Sequence, residues 1–222
     1  MRKYYTRPCN FYYGQQAKIL IKNKKALPLA GNLNIAFDKL EIFKRKSKRN
    51  IESKTYLAAE IKKINQDVRN IVRKDLKNIT SKRKNISGIN FNKPEIMGVL
   101  NVTPDSFSDG GLFFDEQKAI AQANLMIRDG AKIIDVGGES TRPGSKIVNE
   151  EKEWTRVKKV IIKIKKKFPK VTLSLDTRKA NVMKKGIECG VDLINDISGL
   201  DYNKNSFKII NSQNIPFILH HM

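Results

Sequence analysis

A short apolar run over Ile96–Leu100 stops at Asn101 and gives way to VTPDSFSDGG, which holds a proline, two aspartates, three hydroxyl side chains and a glycine pair. The pattern recurs at Lys132–Val136 (KIIDV), which opens into Gly137–Ser145 (GGESTRPGS). A helix-length segment separates the two. Buried strands that discharge into polar, phosphate-friendly loops, with helices between them, are the repeat of a β/α enzyme whose chemistry lies at the strand C-termini.

The repeat continues along the chain. Strands are expected at about Ile96–Leu100, Lys132–Val136, Val171–Leu175, Asp192–Asn195 and Pro216–Leu219. Helices are expected at about Glu116–Arg128, Glu150–Lys167, Lys179–Cys189 and Lys204–Ser212. Gly130 and Gly190 follow two of them as C-caps, and Trp154 sits on a buried helical stripe rather than on a stacking surface. Alternation of this kind implies parallel pairing with right-handed crossovers. It suits an open doubly wound sheet or a barrel. Asn101, Asp135, Asp176 and Asn195 each stand at or near a strand end, and a ring of acids and amides at one rim is what a barrel produces. Four βα units and a fifth strand do not close eight strands, so the expectation is the front part of a longer barrel protein. Val99, Ile134 and Leu175 are expected on its inner face.

Charge divides the chain. The formal net charge is +22, of which residues 1–90 carry +17, with 23 Lys+Arg against 6 Asp+Glu. This first segment is read as a basic extension with an amphipathic helix over Lys54–Thr80, where Leu57, Ile61, Ile64, Val68, Ile71, Leu76 and Ile79 recur at helical spacing. Lys44–Asn50 (KRKSKRN) reads as a loop, and the polar stretch Ser81–Asn92 as the linker to a second domain over 91–222. Residues 1–43 are ambiguous between strand and helix. The extension lacks zinc ligands, an aromatic RNA-binding motif and a helix-turn-helix pattern, so a solvated basic face is expected rather than a nucleic-acid reader. Cys9 and Cys189 make neither a disulfide framework nor a metal spacing. With no apolar run near the ~20 residues a bilayer span needs, the expectation is a cytoplasmic protein without membrane partners.

Taken together, the motifs carry a family resemblance. NVTPDSFSDGG resembles the first signature of dihydropteroate synthases, and GAKIIDVGGESTRPGS (Gly130–Ser145) the second. SLDTRKANVMKKGIECGVDLINDISGL (Ser174–Leu200) and PFILHHM (Pro216–Met222) resemble the third to fifth strand regions. The opening KYYTRPCNFYYG and KKALPLAGN is similar to the extension of alphaproteobacterial members. The resemblance implies a (β/α)8 TIM barrel. It implies condensation of 4-aminobenzoate with (7,8-dihydropterin-6-yl)methyl diphosphate, giving 7,8-dihydropteroate and pyrophosphate, with Mg²⁺ on the diphosphate and a homodimer at full length.

By the same resemblance, Asp176 binds the pterin and Asn195 pairs with its edge, with Asp135 beside them. Asn101 ligates the metal and the diphosphate. Thr141 and Arg142 contact the diphosphate, with Arg142 assisting the leaving group; Phe107 and Pro143 wall the aminobenzoate pocket, and Asp109 is a substrate-binding candidate of the same first loop. Two other readings stand beside this one: a methyltetrahydrofolate-binding methyltransferase barrel, and an inactive fragment with a basic RNA- or membrane-binding module. The family's later lysine, arginine and histidine motifs have no counterpart before Met222, so residues 1–222 alone are expected to fold poorly and to lack synthase activity.

Overall fold

The structure, a computed structural model, describes residues 3–47, 50–103, 116–140, 145 and 147–220. It consists of two compact units, 1–84 and 85–222, and the division falls inside the polar segment 81–92.

The first unit is an antiparallel sheet built on one long strand. β1 (Tyr4–Tyr13), β2 (Leu27–Leu29) and β4 (Ile51–Leu57) all pair with β3 (Asn32–Arg45). α1 (Gly14–Lys22) follows β1, and α2 (Gln66–Thr80) follows β4 after a 3-10 turn over Ala58–Lys63. Ala30 and Gly31 both take positive φ, 50° and 71°, as a two-residue hairpin turn between β2 and β3 requires. Phe37, Leu40 and Ile42 of β3 pack with Ala58, Ile64, Val72 and Leu76 to form the core.

The amphipathic helix is therefore shorter than its periodicity implied. Ile51–Leu57 is a strand because its backbone pairs with β3 in an unbroken register from Lys39↔Leu57 to Arg45↔Ile51. The helix starts at Gln66 because the Asn65 side chain accepts from the Asp67 amide at 3.0 Å. The Arg69 guanidinium fixes the entry by donating twice to the Ile64 carbonyl, at 3.0 and 2.7 Å.

The second unit is a parallel sheet in the order β5 (Ile96–Asn101), β6 (Ala131–Gly137), β7 (Thr172–Asp176), β8 (Leu193–Asp196), β9 (Phe217–Leu219). Spatial order follows chain order with no reversal. That is barrel winding, since a doubly wound sheet reverses at a switch point. The intervening helices are α3 (Glu116–Arg128), α4 (Glu150–Lys167), α5 (Ala180–Glu188) and α6 (Ser206–Gln213). Asn149 caps α4 by accepting from the Lys152 amide at 2.8 Å. Glu150, Glu151 and Glu153 lie in its first turn and Lys165–Lys167 in its last, each complementing the helix dipole. Gly130 and Gly190 take φ of 109° and 90° after α3 and α5.

Register assigns the faces. Leu100, Val136, Leu175 and Ile194 form one paired row, and all are buried against a helix layer that includes Val157, Val160, Ile161, Ile164 and Met183. Ile134 lies on that same face. The expectation that Ile134 and Leu175 point into the barrel is thus corrected: each is one residue out of phase with the inner row, and both are fully buried. Val99 does lie on the inner face, paired with Asp135, and is 55% exposed. Residues 85–92 are pinned rather than a plain linker. Ile86 bridges Ile89, the Ser87 hydroxyl donates to the Asp192 carbonyl at 3.0 Å, and the Thr172 hydroxyl donates back to the Ser87 carbonyl.

Candidate active site

One residue row places most of the site. Asn101 pairs with Gly137, Gly137 with Asp176, and Asp176 with Asn195, so these four stand side by side at the C-terminal rim of β5 to β8. Asp135 lies two residues before Gly137 and faces the same side. Gly137 matters because it is bare. A methyl group there would lie 3.4 Å from Asp176 Oδ2 and 3.6 Å from Asn101 Oδ1, so both side chains lean over this one residue. Phe107, Asp109, Thr141, Arg142 and Pro143 lie outside the described residues.

Asn195 uses both ends of its amide. Its nitrogen donates to Asp135 Oδ2 at 2.8 Å, and its oxygen lies 2.8 Å from His220 Nε2. An amide oxygen only accepts, so His220 carries the Nε2 proton in this contact. Asp135 is buried, and burial raises its pKa above the ordinary value, an effect that Ser174, Asn195 and His220 offset only in part. Among the described residues Asp176 has no such hydrogen-bond partners. Burial, then the charges of Asp135, Glu153, Asp196 and Glu139, push its pKa up to about 7. It does not cap α5: that helix begins after Lys179, whose amide donates to the Thr177 hydroxyl at 3.2 Å.

Behind Asp176 lies a charged cluster that sequence reasoning missed. Lys179 is 2% exposed and donates to Glu139 at 2.8 Å and to Glu153. Glu139 also accepts from Arg178, at 3.2 and 3.3 Å, and from the Val148 amide at 2.9 Å. Burial alone would raise the Glu139 pKa, but Lys179, the Val148 amide and Arg178 outweigh it and hold it below the ordinary value. The same pairing raises Lys179 against its own burial. Arg178, ion-paired with Glu139, also stacks 4.2 Å over the Tyr202 ring. One signal was available: Glu153 interrupts the apolar stripe of α4 four residues before Val157, and an acid there needs a buried cation.

Residues 97–222 match the family described as pterin binding enzyme. This chain belongs to that family. A dihydropteroate synthase from Clostridium beijerinckii is 49% identical over 126 residues, covering 57% of this chain and 46% of the relative. One from Bacillus subtilis is 46% identical over 129 residues, covering 58% and 45%. The chain thus spans about half the length of these relatives. Among solved structures, a dihydropteroate synthase from Clostridium difficile determined in the presence of pteroic acid has a TM-score of 0.55 and 44% identity, covering 58% of this chain and 49% of that one. The Xanthomonas albilineans enzyme with 4-aminobenzoic acid has a TM-score of 0.57 at 37% identity, covering 60% and 48%. The barrel reading of the second domain, 91–222, agrees with the fold of this family.

Proposed function

We propose that the described rim is the pterin side of a dihydropteroate synthase site. The observation that carries this is the row Asn101–Gly137–Asp176–Asn195, with Asp135 one layer below. It sets two carboxylates and two amides around a glycine floor, with donors and acceptors suited to the edge of a flat heterocycle.

In the reaction, the amine nitrogen of 4-aminobenzoate forms a bond to the methylene carbon of the pterin. The carbon–oxygen bond to diphosphate breaks, its electron pair leaves with pyrophosphate, and the amine loses a proton. Positive charge spreads over the pterin as the bond breaks. Asp176 faces that charge from a partly dry setting, where a carboxylate stabilises it more than water does. A carboxyl with a pKa of about 7 is about half protonated at neutral pH without the pterin and ionises readily beside a cation. Asn195 orients the ring edge, and Asp135 fixes Asn195.

Magnesium fits the donor set at Asn101. The side chain is exposed and offers a hard amide oxygen beside Asp176. Among the described residues no three His, Cys, Asp or Glu gather to cage a metal. A Mg²⁺ ion here would take Asn101 with substrate phosphates and waters as its other ligands, which is its ordinary habit. When bound it supplies neutralisation of the leaving diphosphate. At full length we expect a homodimer acting on these two small substrates in the cytoplasm, without nucleic acid. No helix among the described residues is long and apolar enough to cross a membrane.

The test titrates the 222-residue chain with 6-hydroxymethylpterin and with its diphosphate by calorimetry. The expected result is saturable binding of both, tighter for the diphosphate, with Asp176→Asn weakening both and Asn101→Ala removing only the diphosphate gain. Binding of the pterin with no gain from diphosphate would favour the methyl-transfer barrel. No pterin binding would overturn the assignment.

A further inference from the structure

The first unit holds a cleft of about 470 Å³ lined by Tyr4, Ile42, Lys44, Glu52, Ser53, Lys54, Tyr56, Ile64, Asn65 and Val68. Its volume lies within the range of about 300–1,000 Å³ typical of small-molecule sites. Register explains its make-up. Tyr4 pairs with Lys44 and Lys44 with Glu52; beside them Ile42 pairs with Lys54 and Leu40 with Tyr56. Alternate residues of β3 and β4 therefore share the face on which α2 begins, and Ile64 and Val68 supply apolar surface beside the sheet.

The polar groups of the cleft are not used up by the fold. Glu52 pairs with Lys46, which first holds its pKa below the ordinary value, with a weaker pull from Lys44. The Lys54 ammonium stands 5.3 Å from the centre of the Tyr56 ring. Among the described residues neither Lys44 nor Lys54 has a carboxylate within ion-pair distance, and neither tyrosine hydroxyl has a hydrogen-bond partner. The Asn65 side-chain oxygen is spent on the cap of α2, leaving its amide as a donor. Two cations, two phenols, an amide donor and an apolar wall, together with one carboxylate, Glu52, whose charge Lys46 pairs, ask for one kind of ligand. It has a flat apolar body and a negative charge. The unit's own balance of +17 adds an attractive field for such an ion.

We propose that this cleft is a binding site for an aromatic carboxylate, separate from the pterin-type rim of the second unit. The carboxylate lies between Lys44 and Lys54, and the ring lies on Ile42, Ile64 and Val68 beside Tyr56. The proposal does not depend on the synthase reading, because no residue of the second unit enters it.

The experiment uses the full 222-residue chain, isotope-labelled, titrated with 2-naphthoate and followed by amide NMR. Saturable shifts are expected at Lys44, Ser53–Tyr56 and Asn65–Val68. 2-Naphthamide, the neutral analogue, should bind at least tenfold more weakly. Lys44→Met with Lys54→Met should weaken 2-naphthoate at least tenfold while leaving the remaining spectrum folded. Lys77→Met, which removes one charge from α2 away from the cleft, should change affinity less than twofold. Equal binding of the amide, shifts confined to the second unit, or an equal effect of Lys77→Met would each overturn the proposal. So would a twelve-nucleotide single-stranded RNA that displaces 2-naphthoate at lower concentration, since the cleft would then belong to a polyanion surface.

Discussion

The Asn195 amide donates to the Asp135 carboxylate across 2.8 Å, from β8 to β6, past the strand that carries Asp176. One amide therefore holds a buried acid in place and stands next to a second, less supported one. Removing it leaves a buried acceptor without its donor. Asn195→Ala is expected to cost about 1–3 kcal/mol of stability at pH 7, read from urea unfolding. A change within error would mean the contact carries no weight in the fold.

Asp176 gives a pH dependence with a definite sign. Its pKa rises from 3.8 in the unfolded chain to about 7 in the fold, so the native state holds the proton more tightly. Stability contributed by the protonated form is intact below pH 4 and is lost as pH rises toward 7. At about 1.36 kcal/mol for each pH unit of separation, the ionised group costs the fold up to about 4 kcal/mol. Asp176→Asn, without pterin, should make the protein more stable at pH 8 than the parent and leave little difference at pH 4. Denaturant melts at both pH values check this. A variant less stable at pH 8 would contradict it.

Two neighbouring glycines should respond in opposite ways. Gly137→Ala places a methyl group at ordinary contact distance from Asp176 and Asn101, so stability should change by less than about 1 kcal/mol while pterin affinity falls. Gly138→Ala puts one 2.9 Å from Val157 Cγ1 and 3.0 Å from the Glu153 carbonyl oxygen, where backbone has to move. That variant should lose about 1–3 kcal/mol. Calorimetric titration paired with thermal melts separates the two effects.

Lys179→Met strands two buried glutamates. Breaking a buried pair by removing one partner costs about 3–5 kcal/mol, and a loss of that size is expected in urea unfolding. Adding Glu153→Gln should recover part of it. Lys185→Met removes a more exposed pair with Glu151 and should cost no more than about 1 kcal/mol. Equal losses in the two single variants would show that burial does not set the energetics of this cluster.

Much of the second unit was legible in the chain itself. Period and punctuation located all five strands and all four described helices, because apolar runs bounded by Asn, Asp and Gly are local signals. The acids and amides at strand ends were legible for the same reason. The first unit was less so. Lys54–Leu57 fits a helical stripe by spacing, and only its backbone pairing with β3, formed between residues distant in sequence, made it strand. Face assignment also needed the tertiary structure. Ile134 and Leu175 carry no local mark of direction, and register alone turned them to the helices. The charged cluster of Glu139, Glu153 and Lys179 depended most on the fold. Its members come from a strand exit, a helix and a turn, and no spacing rule joins them. Sequence determined which residues can bear the chemistry. Packing decided which of them share a dry environment, and so which carboxyl, Asp176, stands near neutrality.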